Sequence, residues 1–235
     1  MKKVNVQGLC DGFKGQIAAL KTFHTDACGS LTSHPQHASH ESTLAEIIFH
    51  RACVFLEAFI SEYFIGCVNR QSAHYLAFRR NSMFQSLESK FSQWDISHTR
   101  YSPPQNIPVA QVRSLLDASD KNIAFKDYAT MEQHAQEWLA PVYYAKIAGV
   151  TPDRKQILDV AKKIRNCIAH RSAESFREMN QTIMAIRQTG SVALLRRSVN
   201  SINKVGAYLK AAQPGINSRV EFFLDEFGAF AHQLR

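Results

Sequence analysis

The sequence predicts an all-α fold, an up-and-down helical bundle followed by a helical C-terminal extension. Apolar residues recur at the three- and four-residue intervals of helices along most of the 235 residues. No stretch alternates apolar and polar residues as a half-buried strand would, and no internal repeat is present. A chain of this length can bury one complete core. We expect three parts: a partly flexible N-terminal arm at 1–41, the bundle at 42–190, and the extension, packed on the bundle, at 191–235.

The N-terminal arm is expected to hold one short helix, Gly12 to Phe23, followed by a polar, loop-like stretch at 24–41. That stretch contains four histidines: His24, His34, His37 and His40. The last three could present imidazoles to zinc. Pro35 breaks their regular spacing, however, and no cysteine pair completes a tetrahedral set. A flexible, histidine-rich loop is therefore favoured, and no metal site is predicted.

One long helix is predicted at about 43–70. Thr43 and Glu46 have the spacing of a capping box. Its apolar positions form one broad buried face: Leu44, Ile47, Ile48, Cys53, Phe55, Leu56, Phe59, Ile60, Tyr63, Phe64 and Cys67. Glu57 lies among these residues, and its favoured interpretation is an exposed residue at the edge of the face. The alternative is a carboxylate that meets Arg165 or His170 and orients it.

A second helix is predicted at 73–94, with these residues on its apolar stripe: Tyr75, Leu76, Phe78, Met83, Phe84, Leu87 and Phe91. The sequence YSPPQNIP at 101–108 ends the helical pattern, because paired prolines cannot continue a helix. Shorter helices are expected at 109–118 and at 123–147, the latter bent at Pro141. Its core candidates are Trp138, Leu139, Val142, Tyr143 and Ile147.

The next helix starts at Thr151-Pro152-Asp153, where threonine is a good N-cap, proline suits the first helical position and aspartate complements the helix dipole. Its buried stripe is Ile157, Leu158, Val160, Ala161, Ile164 and Ile168. We expect it to end near Ala169, before Ser172 caps the following helix. Further helices are predicted at 173–188, 191–211 and 218–233.

The sequence IRNCIAH, residues 164–170, carries the candidate chemistry. Arg165 can hold a phosphate through a two-pronged charged contact, Asn166 can donate or accept, and His170 exchanges protons near neutral pH. Five positions separate Arg165 from His170, which is about 140° around a straight helix. Both side chains can enter one cleft only if the helix ends or bends between them. We therefore expect His170 to leave the helical path.

This Arg-Asn-x-x-x-His stretch resembles the signature of the HEPN superfamily, an arginine followed after four to six residues by a histidine. The resemblance covers about residues 42–190 and implies a four-helix bundle that cleaves RNA without a metal. In that chemistry His170 would take the ribose 2′ proton or protonate the leaving 5′ oxygen, and Arg165 would neutralise charge on the phosphate. Asn166 would orient the phosphate or His170. A catalytically silent module that binds RNA or protein is the alternative.

The same resemblance implies a homodimer, and the residues give a reason for one. A single chain offers one histidine near the phosphate, whereas 2′ attack benefits from a base and an acid on opposite sides. A twofold contact would duplicate Arg165 and His170 across the interface. Many relatives act as toxins or in defence against phages and plasmids, held in check by a partner protein such as a nucleotidyltransferase. An antitoxin or defence-system partner is therefore implied as well.

Positive charge is concentrated around the motif. Residues 153–210 hold twelve Lys or Arg against four Asp or Glu, whereas the rest of the chain holds sixteen of each. Such a field attracts polyanions. The alternative is an ordinary set of solvated helix faces. The candidate RNA-binding residues are Lys162, Lys163, Arg171 and Arg177.

Other classes of protein find little support in the sequence. The five cysteines are odd in number and form no C-x-x-C pair, so a disulfide framework is not expected. Neither a signal peptide nor a membrane span is expected, and the predicted location is the cytoplasm. There is no glycine-rich phosphate loop and no acidic cluster for paired magnesium ions. No cofactor is expected.

Overall fold

A computed structural model describes residues 3–117, 121–186, 190–195, 201–212, 215 and 217–235, and within them the chain forms helices and no strand. The all-α prediction is confirmed. The helices are α1 (Val6–Leu31), α2 (His37–Arg70), α3 (Ser72–Glu88), α4 (Gln93–His98), α5 (Val109–Leu116), α6 (Tyr128–Trp138), α7 (Pro141–Ala148), α8 (Pro152–His170), α9 (Ala173–Met184), a 3-10 helix (Gly190–Leu195), α10 (Val205–Lys210) and α11 (Arg219–Leu234). None of these described helices combines the length and the apolar character needed to cross a membrane.

The chain divides into two compact units. The middle unit consists of Met1–Val6 and Ile60–Gly149, and the motif unit consists of Gln7–Phe59 and Val150–Arg235. Helix α2 therefore contributes residues to both units. The predicted division into arm, bundle and extension stays a prediction.

The N-terminal region is more helical than predicted. Helix α1 starts before Gly12 and runs past Phe23, so most of the stretch predicted as a loop is helical and only 32–36 lie between α1 and α2. Buried positions recur along α1 at helical spacing: Val6, Cys10, Phe13, Ile17 and His24. The predicted capping box is wrong, because Thr43 lies inside α2 and its hydroxyl donates to the carbonyl of Ser39 at 3.2 Å.

The motif unit is built around the first two-thirds of α2. Phe59 stacks on Phe13 of α1 with ring centroids 4.5 Å apart, and Phe49 meets Phe223 of α11 edge-on at 4.9 Å. These aromatic contacts join both ends of the chain to α2. One predicted core residue is misplaced, because Ile47 is 60% exposed.

Proline and cap residues divide the middle unit into shorter helices than predicted. Helix α3 ends at Glu88, and α4 starts separately after Ser92, which forms a capping box with Asp95. The predicted helix at 123–147 is two helices, because Pro141 starts α7 instead of bending a continuous one. Two predicted apolar-face residues are also exposed: Phe91 and Val142. The predicted break at 101–108 is confirmed.

The caps predicted around α8 are confirmed. Thr151 caps its start with Pro152 at the first position, and Ser172 caps α9. Helix α11 matches the prediction for 218–233 closely. The predicted helix at 191–211 is wrong as a continuous element, because a 3-10 helix occupies its start and 201–204 are not helical. Part of it, 196–200, and the end of the helix predicted at 173–188 lie outside the described residues.

Candidate functional site

Helix α8 fixes the motif residues through its buried face. Ile157, Val160, Ala161, Ile164 and Cys167 are each at most 1% exposed. Burial of this stripe sets the rotation of the helix about its axis, and so decides which motif residues reach its neighbours. Arg165 and Asn166, which lie between Ile164 and Cys167, are therefore held on a rigid helix.

Arg165, Asn166 and Glu57 form a hydrogen-bonded group, here named the motif cluster. Nη2 of Arg165 donates to Oε2 of Glu57 at 2.9 Å, and Nη1 donates to Oδ1 of Asn166 at 3.2 Å. The Arg165 side chain is 25% exposed and that of Glu57 is 39% exposed. Glu57 of α2 thus has the partial exposure of an edge residue and also meets Arg165, and an orienting role for it stays a prediction. A guanidinium carries five N–H groups, so Arg165 keeps donors beyond these two contacts.

The inner side of the motif cluster is buried. Nε of Arg165 is buried and has no hydrogen-bond partner among the described residues. Cys53 of α2 is buried close enough to feel both charges of the ion pair. Burial raises the pKa of its thiol well above the ordinary value, and the negative charge of Glu57 adds to this effect. Cys53 is therefore a neutral packing group, and only the outer edge of Arg165 can meet a ligand.

His170 is not where the prediction placed it. Helix α8 continues through His170, so the histidine does not leave the helical path. The reason is the cap, since Arg171 takes the left-handed conformation with φ of 50° and ends the helix one residue later. Arg165 and His170 therefore remain about 140° apart around α8. His170 is exposed, and within the described chain its side chain has no hydrogen bond or ion pair, including none to the motif cluster.

Glu46 of α2 organises the end of α8, and sequence reasoning missed this role. Its Oε2 forms an ion pair with Arg171, and its Oε1 accepts the backbone N–H of Gly206 at 2.8 Å. A Cβ on Gly206 would lie 2.2 Å from the carbonyl oxygen of Ser42, so α10 approaches α2 as only glycine allows. One carboxylate thus joins α2, α8 and α10. No local pattern announces it, because both partners lie more than a hundred positions away.

Most predicted RNA-binding cations already have carboxylate partners. Three ion pairs show this: Lys163 with Glu178 at 2.9 Å, Arg177 with Glu174 at 2.6 Å, and Arg171 with Glu46. The ammonium of Lys163 lowers the pKa of the Glu178 carboxyl, first through the hydrogen bond that it donates and then through its positive charge. Lys162 also has an interaction partner. That these residues bind RNA stays a prediction.

A shallow groove lies beside the end of α8. It encloses about 480 Å³ and is lined by Thr43, Glu46, Ile47, His50, Arg51, Ile168, Ala169 and Arg171. The exposed Ile47 and the neighbouring Ile168 give it an apolar floor, and the ion pair of Glu46 with Arg171 bounds one side. The groove therefore borders the residue next to His170.

The histidines of the N-terminal region do not assemble a metal site. His34 in the turn between α1 and α2 and His40 near the start of α2 approach with ring centroids 4.4 Å apart. Among the described residues, no three His, Cys, Asp or Glu side chains converge to hold a metal ion.

Comparison with known proteins adds no relative: no family model, no curated protein and no solved structure matches this chain.

Proposed function

We propose that the chain is a metal-independent endoribonuclease that cleaves RNA by attack of the ribose 2′ oxygen, leaving 2′,3′-cyclic phosphate ends. The observation that carries the proposal is the motif cluster. It holds a partly exposed arginine, fixed by Glu57 and Asn166, on the helix that ends at an exposed and unpartnered histidine. A fixed cation and a titratable group are the two components that phosphodiester cleavage without a metal requires.

Each residue has a chemical role in this proposal. Arg165 places its outer N–H groups against a phosphate oxygen and stabilises the negative charge that gathers there during attack. Glu57 keeps the guanidinium in one orientation, so little reorganisation is needed when the phosphate arrives. His170 removes the 2′ proton or protonates the leaving 5′ oxygen. Asn166 acts through Arg165, since its Oδ1 contacts that side chain.

The geometry of one chain leaves the site incomplete, and we extend the proposal to a homodimer. Because Arg165 and His170 lie about 140° apart on α8, one phosphate cannot meet both within one chain. A twofold contact between motif units supplies the histidine of one chain to the arginine of the other. The groove beside Ile47 and Ile168 offers apolar surface near His170 for such a contact. Repulsion between two basic segments opposes it and weakens with salt or bound RNA.

The test of catalysis is the cleavage rate of matched single variants. His170→Ala and Arg165→Ala are each expected to lose at least about a hundredfold in rate while keeping native helicity. His232→Ala is the control, because His232 is also an exposed histidine in the last turn of a helix, α11. Normal cleavage by either folded motif variant would contradict the assignment.

The test of the shared site is complementation. Mixing the inactive Arg165→Ala and His170→Ala chains should restore part of the activity, because a heterodimer contains one intact pairing of arginine and histidine. Sedimentation at several protein concentrations should show the dimer. An active species that stays monomeric throughout would exclude the shared site.

A second candidate function is a catalytically silent module that binds RNA or a partner protein. The observation that favours it is the separation of His170 from the motif cluster within one chain, together with the ion pair that already occupies Arg165. This candidate predicts that the purified protein binds RNA and leaves it intact in every oligomeric state. The biological setting implied by the HEPN resemblance, a toxin or defence effector restrained by a partner protein, belongs to the first proposal.

A further inference from the structure

The middle unit exposes large aromatic side chains between α3 and the end of α4. Phe91 is 55% exposed and Trp94 is 67% exposed. His98 is exposed as well and stacks on Trp94. These three residues are named the aromatic patch. Exposing two such rings leaves a large apolar area in water, which is typical of a ligand-binding or partner-binding surface.

Local hydrogen bonds hold the tryptophan as a flat platform. The rings of Trp94 and His98 lie 4.2 Å apart with 26° between their planes. Nδ1 of His98 lies 2.8 Å from the carbonyl oxygen of Trp94, and because a carbonyl only accepts, this nitrogen donates. The capping box of Ser92 and Asp95 fixes the start of the same short helix. One face of the indole is therefore covered by imidazole, and the exposure of Trp94 leaves the opposite face open.

Cations without carboxylate partners surround the aromatic patch in sequence. Residues 79–101 contain four Lys or Arg against two Asp or Glu. The four cations are Arg79, Arg80, Lys90 and Arg100. All four are exposed, and none forms an ion pair with a described residue. Of the two acids, Asp95 accepts hydrogen bonds from the backbone and hydroxyl of Ser92. The segment thus combines open aromatic rings with unneutralised positive charge.

We propose that the aromatic patch binds single-stranded RNA, with an unpaired base stacked on the open face of Trp94 and backbone phosphates on the neighbouring cations. Bases stack on aromatic side chains whatever their identity, and phosphates supply the complementary charge. A duplex keeps its bases stacked inside, so it cannot use the platform. This inference rests on the proposed function for its ligand, and it narrows the substrate class to unpaired RNA.

The geometry favours RNA over a membrane surface. An interfacial helix needs a long apolar face, whereas α4 has six residues and presents Trp94 with one face already stacked on His98. A single planar ring with an open face suits a single base.

The experiment measures Trp94 emission in a cleavage-dead chain. His170→Ala keeps RNA intact, and Trp138→Phe removes the only other tryptophan, so the emission reports Trp94 alone. The probes are an oligouridine, the same strand in a duplex with oligoadenylate, and phosphatidylcholine vesicles containing phosphatidylserine. The oligouridine should quench the emission and bind more tightly than the duplex. By direct binding of labelled oligouridine, Trp94→Ala should weaken affinity by about tenfold, the range expected for one stacked base.

Two controls make the result decisive. Trp94→Phe keeps a ring and should retain most of the affinity. Phe23→Ala removes a ring that is 58% exposed in the motif unit and should leave affinity unchanged. Equal binding of single strand and duplex, or unchanged affinity in Trp94→Ala, would overturn the inference. An emission change with vesicles but not with RNA would also overturn it and would show that the patch binds a membrane. An emission change that depends on protein concentration alone would do the same and would show a second chain on the patch. Binding is measured in a chain that cannot cleave. Failure of the patch to bind RNA therefore does not contradict the proposed cleavage, and failure of cleavage does not contradict binding at the patch.

Discussion

Two basic regions of this protein differ in what neutralises their cations. Around α8 and α9, carboxylates pair with four motif-region cations: Lys163, Arg165, Arg171 and Arg177. Between Arg79 and Arg100, the cations have no ion pair with any described residue, and they accompany exposed aromatic rings. Among the described residues, the region with the larger excess of positive charge in sequence is therefore the one in which carboxylates pair with more of the cations.

The difference shows why charge counted along a sequence is not charge on a surface. The partners of Arg165 and Arg171 are Glu57 and Glu46, which belong to α2 and lie outside the basic segment. Folding brings these carboxylates from the neutral part of the chain to the positive part. In the motif unit, ion pairs with α2 fix the orientation of Arg165 and Arg171. Between Arg79 and Arg100, the cations remain available to a polyanion.

The largest expected loss of stability comes from a substitution at Gly206, where α10 packs against α2. Gly206→Ala should destabilise the fold by about 2–3 kcal/mol, because the added methyl would overlap the carbonyl oxygen of Ser42 and push α10 from α2. Gly228→Ala in α11 is the matched control, because a Cβ there meets nothing within 4 Å. It should be neutral or slightly stabilising. Equal urea midpoints for the two variants would show that α10 is not held as described.

Removing one carboxylate from the motif cluster should separate activity from stability. Glu57→Gln is expected to reduce cleavage about tenfold, because Arg165 loses the charge that orients it. It should cost no more than about 1 kcal/mol in stability, since both side chains are partly exposed. Glu174→Gln breaks the exposed pair with Arg177 and should change neither quantity. If the two variants cleave RNA alike, Glu57 has no positioning role.

The salt dependence of RNA binding compares the two regions directly. Lys90→Ala should reduce the slope of log affinity against log salt concentration by about one, as expected for one lost phosphate contact. Lys163→Ala should leave the slope nearly unchanged, because Glu178 already neutralises that ammonium. Binding is measured in the His170→Ala chain. The opposite ranking would mean that the ion pairs of α8 and α9 open to receive RNA.

A buried histidine gives the smallest expected effect, a loss of stability in acid. Burial lowers the pKa of His24 below its ordinary value of 6.5, and Glu221 offsets this only in part, with its carboxylate 3.6 Å from Nδ1. Because the unfolded chain binds the proton more tightly, stability should fall as the pH drops through 6.5 towards the lower folded pKa. His24→Gln should flatten this part of the profile relative to His37→Gln, which alters an exposed histidine. If His24→Gln leaves the dependence of stability on pH unchanged, the loss of stability in acid does not come from His24.

Features specified by adjacent residues were predictable from sequence. Thr151 and Ser172 cap their helices as predicted, because a cap needs only residues a few positions apart. Long-range partners were not predictable. Glu46 has the spacing of a capping box with Thr43, yet it pairs with Arg171, which is 125 positions away. The exposure of Ile47 and Trp94 likewise depends on which helices cover them. The motif residues were found from local pattern, whereas their mutual arrangement required the fold.

Metal-independent cleavage through the ribose 2′ oxygen is tested most directly by the chemistry of the RNA ends that form in EDTA. We expect the intact chain to cleave with the chelator present and to leave 2′,3′-cyclic phosphate and 5′-hydroxyl ends. A strand with 2′-deoxyribose at the cleavage position should resist, because the attacking oxygen is absent, and His170→Ala should leave the intact strand uncut. Ends bearing 5′ phosphate, or activity that EDTA abolishes and magnesium restores, would contradict cleavage by Arg165 and His170 alone.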